Sequence, residues 1–172
     1  MNKSNLDAII KHASSNFGIE DMLSKLKEIN TKTKFIQLFD TNSVINKEHL
    51  LCSYLNALTS FKEKQNSSKI LSIEMLLFAA MTRQINLAIS LAGIKNKSDF
   101  IVFSNDAKKY NIFKKYLNKE TDFNPSLLHM ENSAKRYKII LKNSKKLIKK
   151  EIQNLININM FQKIAVSKIK DA

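Results

Sequence analysis

Two glycines, one proline, one cysteine and no tryptophan are all that this 172-residue sequence holds of the residues that punctuate, staple or bulk out a chain. Each shortage excludes something. So little Gly and Pro cannot supply the turns of a many-stranded all-β fold, and argues for long helices. With Gly18 and Gly93 alone, no Gly-rich phosphate loop can be built, and neither a P-loop, a dinucleotide fingerprint nor a nucleophile elbow occurs. A lone Cys52 permits no internal disulfide and suits a reducing compartment. The longest apolar run, Met75 to Met81, is far below the ~20 residues that span a bilayer. The opening Met1-Asn2-Lys3-Ser4-Asn5 leads into no apolar stretch of signal-peptide length. A cytoplasmic protein with no membrane partner is expected.

Chemistry is equally sparse. His12, His49 and His129 stand far apart, at no spacing that suits zinc. Acidic residues number 15 against 29 basic ones, scattered and without an evident acid/base pair. Cys52 follows Leu50-Leu51 inside a helical pattern, as a packing residue would rather than a nucleophile. No catalytic residue, cofactor or metal is expected, and the chain reads as a non-enzyme.

What the sequence does have is positive charge: a net +14, with pI near 9.8. That field favours a polyanion or an acidic partner. A solubilising Lys-rich surface is the plainer explanation of any single lysine. Length points to one domain spanning 1–172, with a basic helical part from 132 to 172.

Periodicity supplies the elements. Leu6 to His12 is a short apolar stretch of ambiguous period. Ile19, Met22, Leu23, Leu26 and Ile29 mark a helix after a turn at Gly18. Phe35 to Phe39 reads as a buried strand. Leu50, Leu51, Tyr54, Leu55, Leu58 and Phe61 form the apolar stripe of the clearest helix. After a polar loop at 65–69, Ser72 is the expected N-cap of an all-round apolar, central helix, with Glu74 favouring its dipole. Thr82 would cap a further helix that Gly93 ends. Phe100 to Phe103 reads as a second strand, and Tyr110, Phe113 and Leu117 as another helix. Asn124-Pro125-Ser126 breaks the pattern. Ile148, Ile152, Leu155 and Ile156 stripe a terminal helix, which Ile164-Ala165-Val166 either ends or leaves as a strand. Helices interrupted by a few strands make an α/β domain with a small sheet.

Two features can meet an anion. At Thr82-Arg83-Gln84 an apolar helix stops and another starts, so free N–H groups of the new helix stand beside a guanidinium. A helix corner with a solvated Arg is the simpler reading. The second feature is the run from Lys135 to Lys150, which contains no acidic residue. Its lysines suit phosphate contact, and Tyr137 suits stacking on a base. A solvated helix face is again the simpler reading.

The ordered set Ile36-Gln37-Leu38-Phe39-Asp40, Glu48-His49-Leu50-Leu51, Glu74-Met75-Leu76-Leu77 through Arg83-Gln84-Ile85, and Ala92-Gly93-Ile94 resembles the kinase-activating subunit family of the KEOPS complex, which includes the human PRPK-binding protein. Lys163-Ile164-Ala165-Val166 echoes its closing R-I-A-L. The resemblance is good over 35–103 and loose elsewhere. Met81 stands where the family often has a small residue, Lys163 where it has Arg, and 119–131 has no counterpart. It implies a non-catalytic α/β subunit with a small mixed or antiparallel sheet flanked by helices. Such a subunit binds a small atypical kinase/ATPase in an assembly that makes threonylcarbamoyl-adenosine in tRNA, and helps recruit tRNA by its 3′ CCA end. From motif position and charge, Arg83 would contact phosphate or a terminal base and Gln84 would hydrogen-bond a base edge, with Lys62, Lys64 and Lys69 near the backbone path. Kinase contact would fall on exposed helix faces at 46–64 and 84–92. A generic basic RNA- or DNA-binding protein, a purely structural interaction subunit and an enzyme with an unseen site are the competing readings.

Overall fold

The computed structural model describes residues 8–139 and 149–169. The chain packs as two compact units, one from residues up to Thr41 together with Ile94–Phe123, the other from Asn42–Gly93 and Asn124 onward.

The first unit carries the sheet. Strands β1 (Ile9–Ser14), β2 (Ile36–Asp40), β3 (Phe100–Ser104) and β4 (Lys119–Asp122) lie in the order β2-β3-β1-β4, every pair antiparallel. Helices α1 (Ile19–Ile29) and α5 (Ala107–Lys114) belong with it. The register sets Ile10 against Phe103 and Leu38 against Val102. Period-2 alternation thereby gathers Ala13, Ile36, Leu38, Phe100 and Val102 against Met22 and Leu26 of α1 and Tyr110 and Phe113 of α5. At the β2 edge, the Asn30 side chain accepts from the Ile36 N–H (2.8 Å) and donates to its carbonyl (2.9 Å). That contact blunts part of an edge otherwise open to another strand. β4 has no signature in the sequence. Lys119-Glu120-Thr121-Asp122 shows no apolar alternation, and cross-strand pairing such as Lys11–Asp122 (2.7 Å) helps hold it to β1. Of the ambiguous stretch from Leu6 to His12, the residues from Ile9 on lie in β1, and Leu6 and Asp7 lie outside the described residues.

The second unit is helical. It contains α2 (Lys47–Lys62), α3 (Leu71–Ala79), α4 (Ile85–Ala92), α6 (Leu127–Arg136) and α7 (Lys149–Ile169). α3 is buried almost all round, as an apolar helix without a polar face must be. Its N-cap is Ile70, however, and Ser72 lies buried in the first turn, so the expected Ser72 cap is wrong. α7 packs on α2 and α6 and buries Ile156, Met160 and Ile164 at four-residue spacing. The Ile164-Ala165-Val166 segment is therefore helix. Of the residues expected to stripe this helix, Ile148 and the side chains of Ile152 and Leu155 lie outside what is described. So do Lys142, Lys145 and Lys146 of the basic run.

The shortage of glycine shows directly in the helix ends. Lys64, Met81 and Lys138 take left-handed φ values of 57°, 53° and 55°. Each lets the next N–H reach back five residues: Gln65 to the Ser60 carbonyl (2.8 Å), Thr82 to Leu77 (3.1 Å), Ile139 to Ala134 (3.1 Å). Glycine usually takes this position, and an L side chain there costs about 1–2 kcal/mol. Gly93 is not such a residue. It is extended (φ −65°, ψ 154°), and glycine is required because a Cβ would stand 2.7 Å from the Ile89 carbonyl oxygen. Nor does Thr82 cap α4. Gln84 holds that position, and the Thr82 hydroxyl accepts from the Gln84 N–H at 3.3 Å.

The α/β class with a small antiparallel sheet and flanking helices agrees with the sequence reading.

Candidate functional site

α2 is rotated relative to its sequence pattern: of the expected stripe Leu50 is fully buried, and Leu51, Tyr54 and Phe61 are half-buried. The stripe expected to face inward includes Leu55 and Leu58, which are 45% and 38% exposed. The buried face is His49, Leu50, Ser53, Ala57 and Ser60. Small residues at 53, 57 and 60 let α3 come close, and the leucines are left on the opposite side. Ser53 satisfies its buried hydroxyl by donating to the His49 carbonyl at 2.7 Å. α4 repeats the arrangement: Ala88 and Ala92 are buried, while Ile85, Leu87 and Ile89 are 41–51% exposed. Two helices of one unit thus show aliphatic side chains outward and Ala or Ser inward. The signal was present in the small residues at i, i+4, i+7, which mark a close-packing face.

His49 secures the start of α2 from inside. Asn46 caps the helix by accepting the His49 N–H at 2.9 Å. The imidazole Nδ1 accepts the Ile45 N–H (3.2 Å), and Nε2 donates to the Ala79 carbonyl (3.0 Å). These two bonds fix a neutral tautomer. Complete burial pushes the pKa down to about 4. Tyr137 packs edge-on to this ring and donates its hydroxyl to the Ser43 carbonyl at 2.7 Å. It is 4% exposed and so not placed to stack on a base, which corrects the expectation from sequence.

The Thr82-Arg83-Gln84 corner is built around Glu74. That carboxylate is fully buried. It accepts from the Ser60 hydroxyl (3.2 Å) and the Ser68 N–H (2.8 Å), and the Arg83 guanidinium stands 3.6 Å away. Arg83 also donates to the Gln65 carbonyl at 3.1 Å. The arginine therefore ties the 63–70 loop to α3. Gln84 is exposed at the start of α4, and Lys62, Lys64 and Lys69 lie at the surface on and beside the tied loop. Five residues singled out from sequence thus lie in one unit, with Arg83 joined to the loop that carries two of the lysines.

A second polar concavity, of about 200 Å³, is lined by Asn42, His129, Asn132, Ser133 and Arg136. Four of the five sit at i, i+3, i+4 and i+7 of α6, where polar residues read in sequence as an ordinary solvated face, so no pattern marks the site.

No group of three or more metal-ligating side chains occurs among the described residues. No described helix is long and apolar enough to cross a membrane. Cys52 is half-buried, and burial raises its thiol pKa, the opposite of nucleophile activation.

A family model described as kinase binding protein CGI-121 matches residues 14–170. The chain belongs to the CGI-121 family. The match covers both units, including β4 and α7, which the sequence resemblance reached only loosely. No curated protein sequence matches the chain. A CGI-121 family chain whose large exposed aliphatics lie opposite small-residue packing faces has two surfaces that call for a physical account, the outward faces of α2 and α4.

Proposed function

We propose that this chain is a non-catalytic accessory subunit that holds a small atypical kinase/ATPase within a KEOPS-type tRNA-modifying assembly. The observation that carries the reading is the exposure of large aliphatic side chains on α2 and α4 opposite their Ser and Ala packing positions. Leu55, Leu58, Ile85 and Ile89 gain nothing from folding at their exposed parts, yet covering the remaining half of each would stabilise an interface by about half the 1.5–3 kcal/mol of a full burial. Leu51, half-buried and one turn before Leu55, extends the α2 stripe, and Glu48 and Lys62 flank it with charge. Family membership supports a kinase as the partner.

Charge introduced into such a face tests this. With the purified kinase partner, Leu55→Glu and Ile89→Glu are each expected to weaken binding by at least about thirtyfold, on the order of 2 kcal/mol. Leu128→Glu, at a 66% exposed position on α6, serves as the control and is expected to bind normally. Unchanged calorimetric affinity in both test variants would place the kinase elsewhere.

The same subunit, in this reading, helps recruit tRNA by its 3′ CCA end. The support is the net charge of +14 and the surface lysines beside the Arg83-Gln84 corner. Phosphate contact predicts an affinity that falls steeply with salt. Joint replacement of Lys62, Lys64 and Lys69 by Glu is expected to weaken tRNA binding and to flatten the salt slope by about three, one for each phosphate no longer neutralised. Full-length tRNA is expected to bind more tightly than tRNA lacking CCA. Equal affinity for both would favour the generic nucleic-acid reading.

A further inference from the structure

We infer that the surface of the sheet-bearing unit around Phe17 stacks an unpaired base of a single-stranded nucleic acid, with Lys97 and Lys115 meeting its phosphates. Phe17 directly precedes the Gly18 cap of α1 and is 45% exposed. A lone exposed apolar residue calls for no explanation. This one belongs to a built surface. Its ring lies 5.0 Å from that of Tyr116, tilted by 56°. Tyr116, half-buried, stacks in turn at 5.8 Å and 21° on Phe113, which is fully buried in the core of the unit. Three rings thus lead from the core outward, and Phe17 is the most exposed of them.

One buried serine sets this surface in place. Ser15, 4% exposed, donates its hydroxyl to the Tyr116 carbonyl (2.6 Å) and accepts the Phe17 N–H (3.0 Å). Its own N–H donates to the Lys97 carbonyl at 2.7 Å. The end of β1, the loop before β3 and the segment after α5 therefore meet at one residue, and they bring Phe17, Lys97 and Tyr116 respectively. Lys97 Nζ reaches the carbonyl of Asn16, next to Phe17, at 3.5 Å. Lys115 Nζ stands 5.7 Å from the centre of the Tyr116 ring. The backbone under both rings is fixed before any ligand arrives, which lowers the ordering cost of stacking.

Charge decides which flat partner fits. Among the described residues neither Lys97 nor Lys115 meets a carboxylate, whereas Lys25 of α1 and Lys114 of α5 are taken up by Glu28 and Glu120. Glu20 and Asp21, in the first turn of α1, oppose an anion. The positive end of that helix, about half a charge, offsets part of them, as does the Gly18 N–H on Asp21 at 3.3 Å. Two ammonium groups without a countercharge, in a chain of net charge +14, leave the balance with a polyanion. Among polyanions a single strand has base faces free to meet a ring, since paired bases already stack on one another. The Arg83-Gln84 corner and its lysines belong to the other unit, so this is a separate contact.

The chain has no tryptophan, so Phe17→Trp keeps an aromatic face and places a single fluorophore at the site. In the full chain carrying it, a short single-stranded oligoadenylate is expected to quench the emission saturably. An abasic oligoribonucleotide of the same length, with the same phosphates, should not. Phe17→Ala is expected to weaken oligoadenylate binding at least about fivefold with the melting temperature unchanged, the low end for one stacked base. Lys97→Gln is expected to flatten the salt slope by about 0.7, the share of one single-strand phosphate. Equal quenching by the abasic strand, absence of quenching, or undiminished affinity in Phe17→Ala would overturn the inference. So would an emission shift on adding the purified kinase partner with no response to the oligonucleotide, which would give the ring to a protein. The oligonucleotide arms need neither tRNA nor kinase, so they succeed or fail apart from the function proposed above.

Discussion

Replacing Glu74 by alanine is expected to destabilise the protein by about 3–5 kcal/mol, the range for removing one partner of a buried ion pair. Glu74 gathers three segments: the end of α2 through Ser60, the following loop through Ser68, and the α3–α4 turn through Arg83. Without the carboxylate, the buried Ser68 N–H loses its acceptor and the guanidinium, only 21% exposed, loses its countercharge. Glu74→Gln keeps an acceptor for Ser68 and is expected to cost less. Arg83→Ala should also destabilise, because it leaves Glu74 charged and buried. Urea unfolding of both single variants and the double variant closes a cycle. A coupling above about 1 kcal/mol is expected. Coupling near zero would mean that the guanidinium is solvated in solution, and would return Arg83 to the role of an anion ligand. The cycle therefore bears on function as well as stability. With strong coupling, weaker tRNA binding in Arg83→Ala would reflect a displaced loop as much as a missing guanidinium. The lysine variants are then the cleaner probe.

How much of this was legible depended on whether a residue's role was set locally. β2 and β3 were plain in Phe35–Phe39 and Phe100–Phe103, because a short apolar run bounded by turn residues has few other uses. α3 was plain as a helix buried all round. α2 was located correctly, and its inward face was read rightly at Leu50 and wrongly at Leu55 and Leu58. Hydrophobic periodicity points to the face with the most apolar area. It fails where close helix approach selects Ser53, Ala57 and Ser60 for the interior and leaves Leu55 and Leu58 outside. β4 was invisible, since its charged residues are placed by pairing with β1 rather than by their own propensity. The caps expected at Ser72 and Thr82 misled because α3 and α4 start from Ile70 and Gln84, neither of which makes a side-chain cap bond, so no capping residue marks either start. The corner at Arg83 was legible as a helix junction and as a place of positive charge. That its arginine leans on a buried Glu74 was not, because the two are nine residues apart across a turn whose geometry follows only from Met81.

Acid should loosen the protein well above the range in which carboxylates titrate, and His49 is the reason. Its pKa falls from the ordinary 6.5 to about 4 in the folded state, because burial disfavours the imidazolium. Between those values the unfolded chain holds one more proton than the folded one. Stability therefore rises with pH across this window, by about 1.4 kcal/mol per unit, and is lost on acidification. The loss should begin near pH 6.5, reach about 3 kcal/mol in all, and level off below about pH 4, once the folded state also takes up the proton. Asp106 cannot account for this. Its pKa lies below the usual carboxylate value, held there by the Lys109 backbone N–H and by Lys34, so its share is lost only at lower pH. The decisive comparison is His49→Gln, whose amide can accept from the Ile45 N–H and donate to the Ala79 carbonyl without titrating. Urea midpoints for the native chain should drop steadily from pH 7 to pH 4.5, while those of His49→Gln stay nearly level. Parallel curves would show that His49 protonates without penalty, so that water reaches it and the junction of α2 with Ala79 opens readily. Leu55 and the α2 stripe sit on the helix whose start His49 ties to Ile45 and Ala79, so the same comparison tests how firmly the proposed kinase-binding face is supported.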